Sequence, residues 1–213
     1  MTKFLMIRHG QSVANENGIF AGHTDAHLTE LGELQARKTA EYIKGHYKVD
    51  KIFASPLQRA KRTAEISGEL LGLQTETRPE LAEIFAGKWE GMRYDDIPNI
   101  YPHAHNVWVN DIGKCRPTDG ESVAELYERV VGAIKKIAEE FPDSTVLIGT
   151  HATPVRAASA YALGIPAERL REVPWSSNAS VTVIEVNGED WHLAEASADA
   201  HLAELVTRLG SNT

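Results

Sequence analysis

Short apolar runs alternate along the chain with longer stretches that mix apolar and charged residues. Residues 3–8, 50–54 and 144–151 are short apolar runs, which are typical of strands buried on both faces of a sheet. The mixed stretches between and after them predict helices over residues 30–47, 55–72, 122–141 and 153–164. Two further segments, 180–186 and 190–196, alternate apolar and polar residues, and the Asn187-Gly188 pair between them predicts a hairpin.

Residues that can cap a helix support these boundaries. The predicted N-caps are Thr29, Ser55, Ser122 and Thr153. Pro56 and Pro154 suit the first helical position, Gly72 can end the second helix, and Glu125 completes a capping box with Ser122.

Strands that alternate with helices indicate an α/β fold. We expect a three-layer sandwich, with a mostly parallel central sheet, helices on both faces and an antiparallel hairpin at the C-terminal edge. The chain of 213 residues suits one such domain over 1–213. Residues 80–118 interrupt the pattern with several Gly and Pro residues, and they predict a long irregular excursion with a short helix near 93–98.

Composition narrows the classes of function. The net charge of −8 disfavours binding to nucleic acid or to anionic membranes, and a small anionic substrate would need a local cationic pocket. There is no apolar run of the roughly 20 residues that span a bilayer, and no signal-peptide pattern. The single Cys115 excludes an internal disulfide, which fits a cytoplasmic location.

Histidine and arginine follow the predicted strands in an unusual way. The first strand ends in Arg8-His9, the third ends at His151, and Arg59 lies in the first turn of the helix after the second strand. Ligands of open α/β sheets bind at the carboxyl ends of the strands. A cation near a helix N-terminus is unfavourable unless an anion also binds there. These positions therefore predict a phosphate-sized cationic pocket that contains two histidines.

The residue types in this pocket suit phosphoryl transfer. Arginine offers planar, permanently charged donors to phosphoryl oxygens. An imidazole beside arginines is biased towards its neutral form, which is a nucleophile. Cationic clamping of the transferring group is the main catalytic device of such reactions.

Six motifs in order carry a resemblance to a known family. They are FLMIRHGQSVANENG, AGHTDAHLTELGELQA, IFASPLQRAKRTAEI, LAEIFAGKWEGM, DGESVAEL and VLIGTHATPVRA. Together they resemble the histidine phosphatase superfamily, on the branch that is similar to cofactor-dependent phosphoglycerate mutases and their phosphatase relatives. The resemblance runs from about residue 3 to about residue 190.

The resemblance implies a two-step reaction without a metal. His9 would become a phosphohistidine, while Arg8, Arg59 and His151 hold the phosphoryl group. Glu83 would be the general acid and base. Asn15 and the backbone N–H of Ala152 match positions that touch phosphate in relatives.

Glu80 and Glu90 are nearby rivals for the role of Glu83. We expect Glu90 to make loop hydrogen bonds beside Gly91 instead. His23, Asp25 and His27 could suggest a metal site, but we interpret them as part of the loop that leads to the cap at Thr29.

Hydrolysis is favoured over mutase activity. The segment FAGKWEGM lacks the Tyr-Gly pair that mutase members tend to have, and the chain is short for a mutase. The chain also departs from the family at Ala152-Thr153-Pro154, where relatives commonly have glycines. We therefore predict a phosphatase of small phosphorylated metabolites with no cofactor, as a monomer or homodimer. The alternatives are a mutase that uses 2,3-bisphosphoglycerate and an inactive phospho-ligand binding module.

The excursion is expected to shape the leaving-group pocket. The candidate residues are Trp89, Arg93, Tyr94, Lys114 and Arg116. The aromatic residues could instead only pack the excursion onto the domain. If Lys114 and Arg116 point inward, the substrate carries a carboxylate or second phosphate. If they face water, a broad or apolar preference follows.

Overall fold

The computed structural model of the chain describes residues 1–207, in which six strands form one mixed sheet of order β3-β2-β4-β1-β5-β6. The strands are β1 (Thr2–Arg8), β2 (Lys51–Ala54), β3 (Thr75–Thr77), β4 (Thr145–Thr150), β5 (Val181–Asn187) and β6 (Asp190–Ala198). Strands β3, β2, β4 and β1 are parallel, whereas β5 pairs antiparallel with both β1 and β6. The predicted mostly parallel sheet with an antiparallel C-terminal hairpin is confirmed.

Helices cover both faces of the sheet. They are α1 (Val13–Glu16), α2 (Glu30–His46), α3 (Gln58–Leu71), α4 (Ile97–Ile100), α5 (Pro102–Asn110), α6 (Val123–Glu140) and α7 (Ala152–Ala162). Successive residues of β1 point to opposite faces, so Leu5 packs with α2 and α3, and Met6 packs with α6 and α7. This arrangement confirms the predicted three layers. None of the helices in residues 1–207 combines the length and the apolar character that crossing a bilayer requires.

Two of the predicted helix starts are confirmed by their hydrogen bonds. Thr29 Oγ1 accepts a hydrogen bond from the Gly32 amide at 3.0 Å and begins α2. Ser122 and Glu125 form a reciprocal capping box at the start of α6. Each cap satisfies amide groups that the first helical turn leaves without partners.

The other two helix starts were predicted wrongly. Helix α3 begins at Gln58 after Leu57, not at Ser55, and α7 begins after His151, not after Thr153. The Ser55 hydroxyl lies 2.8 Å from His151 Nε2 instead of capping a helix. Ser55 and His151 each lie between the end of a strand and the start of a helix. Their side chains contact each other within the site instead of capping the helix. Helix α3 ends at Gly72 with a left-handed φ of 72°, as predicted.

The hairpin turn lies one residue later than expected. Asn187 still pairs with Asp190, so the turn consists of Gly188 and Glu189. Gly188 has a φ of 60°, the conformation that a tight hairpin turn requires of glycine.

Residues 80–118 are less irregular than predicted. The single short helix expected near 93–98 is replaced by α4 and α5, and three short 3₁₀ turns add further order. Helix α5 was not predicted, and it begins at Pro102, since proline is tolerated at the first helical position. Strand β3 was also missed, since its three residues include no apolar side chain.

The loop after β1 packs directly against the first turn of α2. A Cβ atom added to Gly32 would lie 2.0 Å from the Gln11 carbonyl oxygen, and one added to Gly10 would lie 2.3 Å from the Gly32 oxygen. Both contacts are with backbone, so neither can relax by moving a side chain. Because Gly10 and Gly32 have no side chains, the segment that carries His9 can lie close to α2.

We expect Gly32→Ala to lower the free energy of unfolding by about 1–3 kcal/mol or more, because its methyl group has no space. Gly45→Ala lies on the same helix with nothing within 4 Å of the added carbon, and it should raise stability by about 0.5–1 kcal/mol. Urea unfolding of both variants tests this difference. Equal effects of the two substitutions would contradict the close backbone contact.

Candidate active site

The carboxyl ends of β1 and β4 bring two histidines together. The His9 amide donates to the Thr150 carbonyl at 2.9 Å, and the His9 and His151 rings meet edge to face with centroids 5.2 Å apart. The start of α3 places Arg59 Nε 3.3 Å from His9 Nε2. Arg8, His9, Arg59 and His151 are all buried. The structure therefore brings these four predicted residues into one cluster.

His9 is held in one orientation by contacts at both ring nitrogens, since Arg59 Nε donates a hydrogen bond to Nε2 at 3.3 Å. Its Nδ1 lies 2.7 Å from the Gly10 carbonyl oxygen, which can only accept, so Nδ1 carries the proton and donates. Nε2 then bears a lone pair on the side of Arg59. Burial, followed by the charges of Arg59 and Arg8, holds the pKa of His9 well below its usual range. His9 is thus a neutral imidazole whose Nε2 is available as a nucleophile.

Arg59 links the histidine to a neighbouring loop. Its two terminal nitrogens donate to the Gly22 carbonyl at 2.7 Å and the Thr24 carbonyl at 3.0 Å. The Glu90 carboxylate accepts hydrogen bonds from the Thr24 and His23 amides at 2.7 and 2.8 Å. Glu90 therefore makes loop hydrogen bonds, as predicted, and it secures the segment that positions the Arg59 guanidinium.

Arg8 and His151 each keep a buried nitrogen without a partner among residues 1–207. Arg8 Nη1 donates to the Ser176 carbonyl at 2.5 Å, but its Nε is unpaired, and burial lowers its pKa to about 10. Nδ1 of His151 is unpaired, and burial together with Arg59 lowers the pKa of this imidazole well below its usual range. A buried donor without a partner is costly, so Arg8 Nε suits an anion that completes its hydrogen bonds, and so does His151 Nδ1 in the tautomer that carries the proton there.

Glu83 lies across the cavity from this cluster, on the loop before Gly87. Its Oε1 accepts from the Ile84 amide at 2.8 Å, and its Oε2 accepts from the Thr153 amide at 3.4 Å. Arg129 donates to the Glu80 and Ala82 carbonyls at 2.7 and 3.0 Å and so fixes the loop. The half-buried side chain of Glu83 is therefore held at the start of α7.

A small cavity of about 50 Å³, open to solvent, lies in front of His9. Its main polar lining residues are His9, Asn15, Arg59, Glu83 and Thr153, together with Ala152 at the start of α7. Four aromatic residues, which we call the aromatic wall, form much of the remaining lining: Phe20, Tyr94, Trp108 and Trp175. Arg8 and His151 are buried next to His9 and are not among the lining residues.

The structure corrects most of the predicted leaving-group residues. Tyr94 lines the cavity, but Trp89, Arg93, Lys114 and Arg116 do not. Trp89 is completely buried in contact with Phe20 and Trp108, with ring centroids 5.5 and 6.0 Å apart. It packs the excursion onto the domain, which is the alternative considered above for the aromatic residues.

Both basic residues near the end of the excursion face solvent. Lys114 pairs with Asp111 at 2.7 Å, and Arg116 pairs with Glu125 at 2.6 Å. Their side chains are 63% and 53% exposed. The partners of both residues are nearby carboxylates. The sequence pattern did not reveal that the two side chains pair with these carboxylates instead of pointing into the cavity.

Sequence reasoning also missed several residues that shape the site. Ser55 contacts His151, and Asn178 Nδ2 donates to the His9 carbonyl at 3.0 Å and contacts Asn15 Oδ1 at 3.2 Å. Trp175 reaches the cavity from the segment before β5. No local signal identifies Asn178 or Trp175, whereas Ser55 at the end of a strand could have been considered a ligand of the site.

The residues considered for a metal site have other roles. His23 Nε2 lies 2.8 Å from the Glu83 carbonyl, and Asp25 accepts a hydrogen bond from the Gln58 amide at 2.8 Å at the start of α3. They lie in the loop before α2, as expected. Within the described part of the chain, no group of three or more His, Cys, Asp and Glu residues is arranged to hold a metal ion.

The buried imidazoles make stability depend on pH. His9, His151 and His201 have pKa values lowered mainly by burial, so the unfolded chain takes up protons near pH 6.5 that the folded protein does not. Stability is therefore fully present above that pH and falls as the pH drops below it. We expect a slope of up to about 1.4 kcal/mol per pH unit for each of the fully buried His9 and His151 between pH 6.5 and 5, and a smaller contribution from the partly exposed His201.

Urea unfolding at pH 7.5, 6.5 and 5.5 measures this slope. His9→Asn removes one of the three imidazoles and should make the slope shallower. A slope unchanged by this substitution would show that His9 is protonated in the folded protein.

Comparison with known proteins agrees with this geometry. The family described as histidine phosphatase superfamily (branch 1) matches residues 4–199. Phosphoserine phosphatase 1 of Hydrogenobacter thermophilus is 30% identical over 208 residues, which cover 96% of each chain.

Two solved structures are similar over most of the chain. Bacillus stearothermophilus YhfR has a TM-score of 0.90 and 28% identity, covering 95% of this chain and 100% of that one. A mycobacterial glucosyl-3-phosphoglycerate phosphatase in complex with VO3 has a TM-score of 0.85 and 28% identity, covering 92% of this chain and 99% of that one.

Proposed function

The chain belongs to the histidine phosphatase superfamily and is a phosphatase, a phosphoric monoester hydrolase, and on this premise we propose that it acts through a phosphohistidine at His9. One observation carries the proposal. The Gly10 carbonyl holds the proton on Nδ1, and the lone pair of Nε2 lies beside the Arg59 guanidinium. A nucleophile is thus placed where arginine can bind the group that it attacks.

In the first step, Nε2 of His9 attacks phosphorus and forms a P–N bond. The ester P–O bond breaks, its electron pair passes to the leaving oxygen, and Glu83 supplies a proton to that oxygen. Arg8, Arg59, His151, Asn15 and the Ala152 amide would hold the phosphoryl oxygens. The unpaired nitrogens of Arg8 and His151 support this assignment.

In the second step, water attacks the phosphohistidine. Glu83, now a carboxylate, accepts a proton from the water, and the P–N bond breaks with its electron pair returning to Nε2. Inorganic phosphate leaves, and both residues regain their starting protonation states. The residues of the chain supply the nucleophile, the charge and the proton transfer, so we propose that neither a metal nor a phosphorylated cofactor takes part.

The substrates are proposed to be small phosphorylated metabolites. Relatives carry the names phosphoserine phosphatase and glucosyl-3-phosphoglycerate phosphatase, which are small-molecule phosphomonoesterases. The net charge of −8 supports a substrate other than nucleic acid or an anionic membrane. We further propose a single domain over 1–213 that works in the cytoplasm as a monomer or homodimer.

A phosphate-release screen in the presence of EDTA tests the function. We expect release from several sugar phosphates, nucleotides, phosphoglycerates or phosphorylated amino acids, together with acid-labile phosphate on the protein. Conversion of 3-phosphoglycerate to 2-phosphoglycerate without free phosphate, given a trace of 2,3-bisphosphoglycerate, would instead indicate a mutase. Binding without either reaction would indicate an inactive phospho-ligand binding module.

A further inference from the structure

The aromatic wall determines what the cavity can accept beyond the phosphoryl group. Phe20 is central to it, with ring centroids 5.5 Å from Tyr94 and 5.2 Å from Trp108. The rings of Trp108 and Trp175 are 6.2 Å apart. A substrate whose phosphoryl group lies at His9 can therefore place its organic part against these rings.

The wall is rigid because buried groups support it. Trp89, which is fully buried, packs behind both Phe20 and Trp108. Backbone bonds from Phe20 to Met92 at 2.8 Å and from Tyr94 to Gly18 at 2.9 Å join the two segments that carry wall residues. A preformed aromatic surface binds an apolar group without an ordering cost.

Trp175 is held from behind by a buried cation. The Arg156 guanidinium lies 3.9 Å from the centre of the indole ring and donates to the Val173 and Leu170 carbonyls at 2.8 and 3.0 Å. The next residue, Ser176, accepts a hydrogen bond from Arg8. The indole is thus tied both to the interior and to the proposed phosphate site.

No cation stands ready for a second anionic group of the substrate. Among the described residues that line the cavity, Arg59 is the only arginine or lysine, and it is proposed to bind the transferring phosphoryl group. Lys114 and Arg116 are paired with Asp111 and Glu125 and face solvent. Arg93 is exposed and does not line the cavity.

We propose that the leaving-group site selects phosphomonoesters of apolar, preferentially aromatic alcohols that carry no second negative charge, with Trp108 and Trp175 determining this specificity. The inference rests on the proposed function, since it takes the phosphoryl group to lie at His9. Stacking on an indole and burial against the wall favour a planar apolar group. A carboxylate or second phosphate would lose its water without gaining a cation.

A series of primary alkyl phosphates tests the preference without large differences in leaving-group chemistry. We expect kcat/KM for 2-phenylethyl phosphate to exceed that for ethyl phosphate by about tenfold or more. The value for 3-phosphoglycerate should be below that for ethyl phosphate. Equal values for phenylethyl and ethyl phosphate, or a preference for 3-phosphoglycerate, would overturn the inference.

Variants locate the specificity in the wall. Trp175→Leu should lower the ratio of kcat/KM for 2-phenylethyl over ethyl phosphate by about tenfold. Trp191→Leu is the matched control, since this half-buried tryptophan lies on β6 outside the cavity, and it should leave the ratio unchanged. If Trp175→Leu disturbs folding, Trp175→Phe is the alternative test. It keeps an aromatic ring and should therefore retain most of the ratio. A selective loss of 3-phosphoglycerate hydrolysis in Arg93→Ala would instead reveal an anion subsite and contradict the proposal.

Binding of phosphonates separates this inference from the proposed function. Calorimetry with 2-phenylethylphosphonate and ethylphosphonate requires no turnover. Tighter binding of the phenylethyl compound, by about tenfold, supports the aromatic site even if no ester is hydrolysed. Turnover of ethyl phosphate with equal binding of the two phosphonates would leave the proposed function intact and overturn the specificity.

Discussion

His9→Ala should lower kcat for p-nitrophenyl phosphate by about 10⁴-fold or more. The reason is that the variant lacks the Nε2 lone pair that forms the P–N bond, while the remaining cations can still bind phosphate. The cavity residues that hold the substrate are unchanged, so inorganic phosphate should still compete for the site. Stopped assays of nitrophenol release measure the loss, and quenching in alkaline detergent, in which phosphohistidine survives, after addition of substrate radiolabelled in the phosphoryl group shows whether phosphate remains on the protein.

His103→Ala is the control for this experiment. His103 is exposed on α5 and is not part of the cavity, so its removal should leave turnover and labelling unchanged. Circular dichroism verifies that the His9 variant is folded, since the side chain that it removes is buried. Normal turnover or normal labelling in folded His9→Ala would refute the phosphohistidine assignment.

Glu83→Gln should affect the two steps differently, depending on the leaving group. For ethyl phosphate the departing alkoxide needs a proton, so we expect kcat/KM to fall by about 10²–10⁴-fold. Nitrophenolate is stable without a proton, so the first step on p-nitrophenyl phosphate should be impaired much less. The second step still lacks its base, so nitrophenol should appear in a burst of about one equivalent, followed by slow turnover. Rapid-quench kinetics resolves the burst.

Glu80→Gln separates this role from that of the nearest rival carboxylate. The Glu80 side chain is exposed and outside the cavity, so its amide variant should hydrolyse both substrates normally. The glutamine at position 83 keeps an oxygen that can accept from the Ile84 amide, so the loop should remain in place. Equal losses on ethyl and p-nitrophenyl phosphate without a burst would show that Glu83 supports the loop rather than transferring protons.

Much of the fold was predictable because its determinants are local. The buried runs of β1, β2 and β4, the cap at Thr29 and the capping box at Ser122 each depend on neighbouring residues, and the structure confirms them. Errors appeared where local rules competed with the site. Ser55 and Thr153 have the chemistry of N-caps, yet the hydroxyl of the first contacts His151 and the amide of the second contacts Glu83.

The charged part of the site was also accessible from the chain alone. Arg8, His9 and His151 follow strands directly, and parallel strands bring their carboxyl ends to one edge of the sheet. Arg59 was conspicuous because a cation is unfavourable in the first turn of a helix. The convergence of these four residues thus followed from the position of strand ends and from simple electrostatics, whereas Glu83, Asn15 and Ala152 were identified mainly by the family resemblance.

The sequence by itself determined every strand except β3, the principal helices and the set of histidines and arginines at one edge of the sheet, since these depend on short-range preferences and on the direction of the chain. Only the tertiary structure decided that Phe20, Trp108 and Trp175 face the cavity together, that Trp89 lies beneath them, and that Lys114 turns to Asp111. Such side-chain partners come from segments far apart in sequence or from a choice among several nearby charges. Packing of the whole chain, rather than any local pattern, makes that choice.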